Sequence, residues 1–294
     1  MLSVLNQEYP NLEYIIIDGG STDNSVDIIR KYAHHLAYWV SEPDDGQYHA
    51  VEKGLNKCTG DIMAWINSDD FYLPGAFHTV ARIFNTHPDV NWLRGIALEC
   101  KENGDIWNRI ATPWSRWSRY RYLTGDFQFI QQESTFWRKE VWEQAGSYMD
   151  RSVQYAGDME LWARFFRHEK LYTAHHHLAV FRHRDEGQIS KTYMVEYINE
   201  CRQVVKREKK RLSFVEKIKT GFLYLARFGW GLFFFADIPF LRRIYPWLFG
   251  IPPLIDPKSP LSPQPNTREI WLPPLIMGNY VWQKKPIRLN KKGK

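Results

Sequence analysis

Cysteine is scarce in this chain: Cys58, Cys100 and Cys201 are the only three among its 294 residues. They lie far apart with no ligand-like spacing, which excludes a disulfide scaffold and points to a reducing compartment. A long apolar run free of charge is also missing. The most apolar stretch, Thr220 to Gly250, is interrupted by Arg227, Asp237, Pro239 and the Arg242–Arg243 pair, so it falls short of the ~20 residues a membrane-spanning helix needs. Met1 to Tyr9 carries neither a basic leader nor an apolar core of export length, and the catalytic part is therefore expected in the cytoplasm. The glycines lack the spacing of a dinucleotide fingerprint or a phosphate loop, and no internal repeat or nucleic-acid-binding motif is present.

With 44% hydrophobic and 24% charged residues, the chain can bury one α/β core of ordinary size and carry an appendage, and it is not a disordered protein. The net charge of +6 is uneven, because most of the basic excess lies after about Arg202, and that asymmetry suits an anionic surface as partner of the C-terminal part. Thirteen tryptophans fit sugar stacking, a membrane interface or an ordinary core equally well.

Patterning gives the architecture. An apolar run at Tyr14 to Ile17, bounded by turn residues, predicts a strand. Val26, Ile28, Ile29 and Tyr32 then mark a helix, with Ser21, Thr22 or Asp23 as its cap. LAYWVSEP predicts a second strand, DDGQYHA opens a second helix, and GDIMAWINSDD is a third strand ending in acids. Such alternation predicts parallel strands covered by helices, a class of fold that binds ligands at the carboxyl ends of its strands. Asp18, Asp44, Asp69 and Asp70 all fall at those ends. Two further strands follow, NWLRGIALEC and DIWNRIA, joined by a turn at Asn103–Gly104. Thr112 to Phe127 reads as a loop over the site, and the strand FIQQESTFW is followed by a short helix. AGDMELWARFFRHE is an amphipathic helix, and LYTAHHHLAVFRHR closes the domain as one or two strands. Thr192 to Glu216 reads as a charged helix. From Ile251 onward the Pro- and Lys-rich chain reads as an extended, poorly packed tail.

The acids carry the candidate chemistry. Adjacent carboxylates at Asp69 and Asp70 suit a hard divalent ion that offsets phosphate charge, and they equally suit a helix cap. Asp18, followed by Gly19 and Gly20, can accept hydrogen bonds from a base ring such as uracil or simply close a glycine turn. Asp158 at a helix start is either a cap or a general base near an acceptor hydroxyl. His175 to His177 cannot all converge on one ion, because neighbours on a strand alternate faces, which leaves His183 as the histidine for a site role.

The order DGGSTDNS, SEPDDGQ, GDIMAWINSDD, QQESTFW and GDMELWARF, from Leu2 to Ser190, resembles the family 2 glycosyltransferases of the GT-A fold. The resemblance implies a nucleotide-diphospho-sugar transferase fold, a Rossmann-like mixed sheet with helices on both faces, over residues 1–190. A helical, membrane-interfacial region would follow at 191–250 and a tail at 251–294. It implies that Asp18 contacts the nucleotide base and that Asp44 and Gln47 belong to a loop closing on the nucleotide. Asn67, Asp69 and Asp70 would form the DxD region, with Asp70 ligating Mn2+ or Mg2+ directly and Asp69 near the ribose and metal. Asp158 would be the base of an inverting displacement, the second acid of a Glu-Asp pair whose first member is here Gly157. His183 lies near a position where some relatives supply a further metal ligand. Relatives also carry a central strand ahead of the helix ending in SVLNQ, a strand that is not among these residues.

The expected function is sugar transfer from a nucleotide diphosphate to a glycan or lipid-linked acceptor in cell-surface polysaccharide synthesis, without nucleic acid. The rival is a catalytically inactive relative that binds nucleotide or glycan, or acts as a membrane-associated partner. Thr220 to Gly250 is expected either to lie peripherally on the cytoplasmic face of the membrane, with Trp and Tyr at headgroup depth, or to pack as a helical subdomain on the core.

Overall fold

A computed structural model of the chain describes residues 1–107, 116–126, 130–234 and 239–257. It begins with α1 (Leu2–Leu5), β1 (Ile15–Asp18), α2 (Ser25–Lys31), β2 (Tyr38–Ser41), α3 (Gln47–Leu55) and β3 (Ile62–Met63). This is the alternation expected from the apolar runs, with the cap of α2 at Asn24, just beyond the expected Ser21 to Asp23. Next come β4 (Phe71–Tyr72), α4 (Ala76–Thr86), β5 (Trp92–Cys100) and β6 (Ile106–Trp107), then α5 (Arg119–Leu123), β7 (Thr135–Arg138) and α6 (Lys139–Gln144). The domain continues through α7 (Gly157–His168) and one long strand, β8 (Leu171–Arg182). Helices α8 (Ile189–Thr192), α9 (Met194–Arg211), α10 (Phe214–Phe234) and α11 (Pro239–Leu248) precede β9 (Leu254–Ile255).

The strands form two sheets, not the single sheet that the alternation predicts. β1 and β2 pair in parallel by themselves, while β3, β7, β5, β8 and β4 follow one another in a seven-stranded mixed sheet, with β6 against β5 and β9 against β8. β5 and β8 run parallel at its centre, and their fully buried Trp92, Leu93, Leu178 and Val180 show why these segments read as apolar. On one face Trp92 and Trp137 pack with Trp162 and Phe165 of α7 and with Cys201, Val204 and Val205 of α9. On the other, Leu93, Phe136 and Leu178 pack with Val80, Ile83 and Phe84 of α4. The tryptophans Trp65, Trp92, Trp137 and Trp162 are thus core residues; Trp65 stacks on Trp162 with ring centroids 5.5 Å apart.

β1 and β2 do not share this burial: all four residues of β1 remain half-exposed, and none of β2 is buried. Among the described residues its edge away from β2 has no partner strand, and that edge lines a cleft of about 2100 Å³ together with Ile62, Ala64, Val4 and Leu55.

Two further expectations change. Within the stretch Thr112 to Phe127, expected as a loop over the site, the described residues 116–126 contain α5. Ser118 accepts from the Arg121 N–H at its start and donates to Phe249 O at 2.6 Å, tying the segment to the C-terminal helices. Of the expected unpacked tail, residues 251–257 pack instead: β9 pairs in parallel with β8, and Arg116 Nη1 donates to Pro252 O at 3.2 Å. Residues 258–294 lie outside the described residues.

A two-stranded sheet is marginal on its own, whereas β5 is paired on both sides and buried. Amide hydrogen exchange is expected to be at least about a hundredfold faster at Ile15–Asp18 than at Trp92–Leu98. Equal protection of the two strands would mean that the β1–β2 unit is held by something other than its own pairing.

Candidate active site

The loop after β1 is built around Asp18. Asp18 Oδ2 accepts from Gly20 N (3.2 Å), Ser21 N (2.9 Å) and Ser41 Oγ (2.7 Å), and Oδ1 accepts from Ser21 Oγ (2.5 Å). Desolvation alone would raise its pKa, but these bonds from Ser21, Ser41 and Gly20 hold the carboxyl below the usual range. Asp18 is therefore a carboxylate largely spent on its own turn, with Oδ1 the oxygen left with room for a further donor. Gly20 takes φ +84°, as the tight turn requires. A Cβ on Gly19 would come within 2.6 Å of Asp44 Oδ2, so glycine is what lets the Asp44 loop close against the Asp18 loop. Asp44 Oδ1 in turn accepts from Gly46 N at 2.8 Å.

Asn67 links this side to the acidic loop. Its Oδ1 accepts from Gln47 Nε2 at 2.8 Å, and its backbone carbonyl accepts from the Asp70 N–H at 3.3 Å. Directly after Asp70, β4 pairs antiparallel with the end of β8, Phe71 opposite Val180. That register brings the Arg182 N–H to Asp70 Oδ1 at 2.9 Å. Asp70 Oδ2 is buried with no hydrogen-bond partner among the described residues. Burial, with Asp69 adding repulsion, pushes the Asp70 pKa up to about 7.

Two carboxylates that the sequence reading left unassigned face the same region. Glu133 is buried with Oε1 unpartnered, and desolvation followed by the nearby Asp70 raises its pKa well above the usual range. Glu99 Oε2 lies 2.8 Å from His183 Nε2. The only signal for Glu133 was its place in QQESTFW, and nothing local in the sequence marks Glu99.

Asp158 opens α7. Tyr48 OH lies 3.0 Å from Tyr155 O and 3.4 Å from Asp158 Oδ1. Although part of Asp158 still meets solvent, the protein crowded around it raises its pKa to about 6, while the Tyr48 hydroxyl pulls in the other direction. A Cβ on Gly157 would meet the Tyr48 ring at 2.7 Å, so glycine here makes room for the tyrosine. Tyr48, absent from the sequence-derived candidates, is the neighbour that orients Asp158.

Asp18, Asp44, Gln47, Asn67, Asp69, Asp70, Asp158 and His183 all line the one cleft. Among the described residues no three His, Cys, Asp or Glu side chains converge as a ready-made metal cage. The donors nevertheless fit a hard divalent ion, since Asp70 keeps a buried oxygen without a partner beside the half-buried Asp69. Ions of the Mg2+ kind are commonly held by one or two carboxylates plus substrate phosphates. His183 would have to leave Glu99 to ligate through Nε2.

A carboxyl whose folded pKa is raised contributes stability that is complete below its unfolded value, near 3.8, and is lost as pH rises through about 7. Asp70→Asn removes that penalty. The variant is expected to melt about 3–6 °C above the parent at pH 8 and no higher than it at pH 4. A lower melting temperature at pH 8 would show that the Asp70 charge is already compensated.

Residues 1–142 match the model of glycosyl transferase family 2. The uncharacterized glycosyltransferase RP339 of Rickettsia prowazekii is 26% identical over 178 residues, 59% of this chain and 55% of that protein. A PGL/p-HBAD biosynthesis glycosyltransferase of Mycobacterium bovis is 24% identical over 202 residues, 65% of this chain and 72% of its own. The chain thus spans little more than half the length of several curated relatives. Among solved structures, S. aureus TarS 1–349 in complex with UDP-GlcNAc shares the fold with a TM-score of 0.61 at 15% identity, over 84% of this chain and 74% of that one. With its acids gathered at the strand ends in one cleft and its mixed sheet, the chain is similar to glycosyl transferase family 2 over residues 1–142, close to half of its length.

Proposed function

We propose that the chain transfers a sugar from a nucleotide diphosphate to a glycan or lipid-linked acceptor by an inverting displacement. The observation that carries this reading is the cleft itself: a buried, unpartnered oxygen of Asp70 and the carboxylate of Asp158 line the same cavity, together with both nucleotide-side loops. Mn2+ or Mg2+ bound at Asp70 and Asp69 would offset the charge that builds on the departing diphosphate. Asp158 takes the proton of the attacking hydroxyl, and a carboxyl with a pKa of about 6 is ionised for that task at neutral pH. Asp18 and Asp44 shape the nucleotide side, and Gln47 ties that side to Asn67 and so to the acidic loop. The UDP-GlcNAc bound to TarS makes a UDP-linked sugar the first donor to test. The M. bovis relative is named for PGL/p-HBAD biosynthesis, which supports sugar transfer in a biosynthetic role; the reading adds peripheral contact of the chain with the cytoplasmic face of a membrane.

The unpaired edge of β1 favours a second reading, a relative that binds nucleotide or glycan without catalysis, because the open edge lies beside the Asp18 loop. Calorimetric titration of the chain with UDP and GDP, with and without Mn2+, separates the two. Transfer predicts metal-dependent binding of one nucleotide that Asp70→Ala weakens at least about tenfold. Binding unaffected by metal and by Asp70→Ala supports the second reading.

Under turnover, kcat/KM is expected to fall on the acid side with an apparent pKa of about 6. Tyr48→Phe removes a bond that favours the ionised carboxylate and so moves this limb to higher pH. Asp158→Asn lowers kcat by about a hundredfold or more. An acid limb that Tyr48→Phe leaves in place would remove Asp158 as the titrating base.

A further inference from the structure

Helix α10 has its polarity reversed for a helix resting on a protein body. Phe214, Val215, Ile218, Phe222 and Leu225 are 58% to 78% exposed. At ~100° per residue these five positions fall within one arc of about 100°. The opposite side holds the helix to the body. Glu216 accepts from Arg119 Nη1 at 2.9 Å, Arg227 Nη1 donates to Thr124 O at 2.8 Å, and Leu223 is fully buried with Tyr245, Phe249 and Ile251. Polar and buried anchors therefore face inward while a continuous apolar stripe faces outward. An exposed strip of this kind on a helix already docked by its other face marks a contact surface.

The charges around the stripe select what it contacts. Lys217 and Lys219, both exposed, flank it on its two sides. Lys219 Nζ sits 4.1 Å above the Tyr120 ring. The last turns of α9, just ahead of the helix, carry Lys206, Arg207, Lys209, Lys210 and Arg211. Arg207 pairs with Asp150 and Arg211 with the buried Glu208, which leaves the exposed Lys206 and Lys210 to extend the basic rim. Two copies of this chain meeting through the stripe would bring like-charged rims together, whereas an anionic lipid surface complements both the stripe and its rim. Among the described residues no helix is long and apolar enough to cross a membrane, so α10 lies in the plane of the interface.

We propose that the outward face of α10, from Phe214 to Leu225, docks the protein on an anionic lipid bilayer, with the apolar side chains in the headgroup boundary and the flanking lysines at phosphate depth. This deepens the peripheral contact in the functional reading above by giving it a face and a lipid chemistry. It also fixes which side of the protein turns toward the membrane.

The full chain is tested by co-sedimentation with phosphatidylcholine vesicles with and without about 30% phosphatidylglycerol. The expected result is salt-sensitive partition onto the anionic vesicles. Ile218→Glu/Phe222→Glu and Lys210→Glu/Lys217→Glu should each reduce it by about tenfold or more. The melting temperature and nucleotide titration of both variants should stay at parental values, since none of these side chains anchors the helix. Absence of partition by the parent chain overturns the proposal, as does undiminished binding by the first variant. A parent dimer that the first variant converts to monomer also overturns it in favour of a second copy. Loss of vesicle binding with nucleotide binding intact sinks only the docking face; the reverse sinks only the transfer reading.

Discussion

The pairing of β4 with the end of β8 is the constraint on which the candidate site depends. β4 is only Phe71–Tyr72, yet it sits directly after the acidic pair, and its partner is the last strand of the sheet's centre. Because β8 is itself held by β5 along most of its length, the Arg182 N–H arrives at Asp70 as a rigid donor from 112 residues away. One Asp70 oxygen is thereby fixed and the other left buried without a partner among the described residues. A buried acceptor left in this state is costly to the fold.

The Asp158 end of the cleft is held differently, by contacts that reach back from the C-terminal helices. Glu200 on α9 accepts from the N–H groups of Gln154, Tyr155 and Ala156 at 3.0, 2.8 and 2.9 Å, capping the chain just before α7 begins. Within α7 the buried Arg164 pairs with Glu160 and donates to Ala145 O and Tyr148 O. Asp158 therefore starts a helix clamped at its entrance and along its buried side. Tyr48 then fills the space that Gly157 leaves open and lays its hydroxyl 3.4 Å from Asp158 Oδ1.

Between these two ends the sheet is split. The β1–β2 unit carries the Asp18 loop but reaches the acidic loop through a side chain, Gln47 against Asn67. The Asp70 and Asp158 sides of the cleft rest on a large, well-buried sheet, while the Asp18 side rests on a small one. α9 contributes Cys201, Val204 and Val205 to the main core, and α10 turns its apolar side away from it. Consecutive helices of one charged region thus serve opposite surfaces.

Much of this was legible in the residues alone. Apolar runs bounded by turn residues located β1, β2 and the long β5 and β8, and the spacing of apolar positions located α2 and α7, because local periodicity follows from which face is buried. The acids at the strand ends were legible for the same reason, since a strand's end is a local property. The partners of those acids were not. Arg182 beside Asp70, Glu99 beside His183, Tyr48 beside Asp158 and Glu200 beneath α7 are meetings of residues distant in the chain, set by strand register and helix packing and leaving no local trace. The sequence by itself determined the order of elements and the chemistry available at each turn. Only the tertiary structure decided that the sheet divides beside Asp18, that Asp70 keeps an unpaired oxygen and that α10 faces outward, because each depends on what the rest of the fold places next to it.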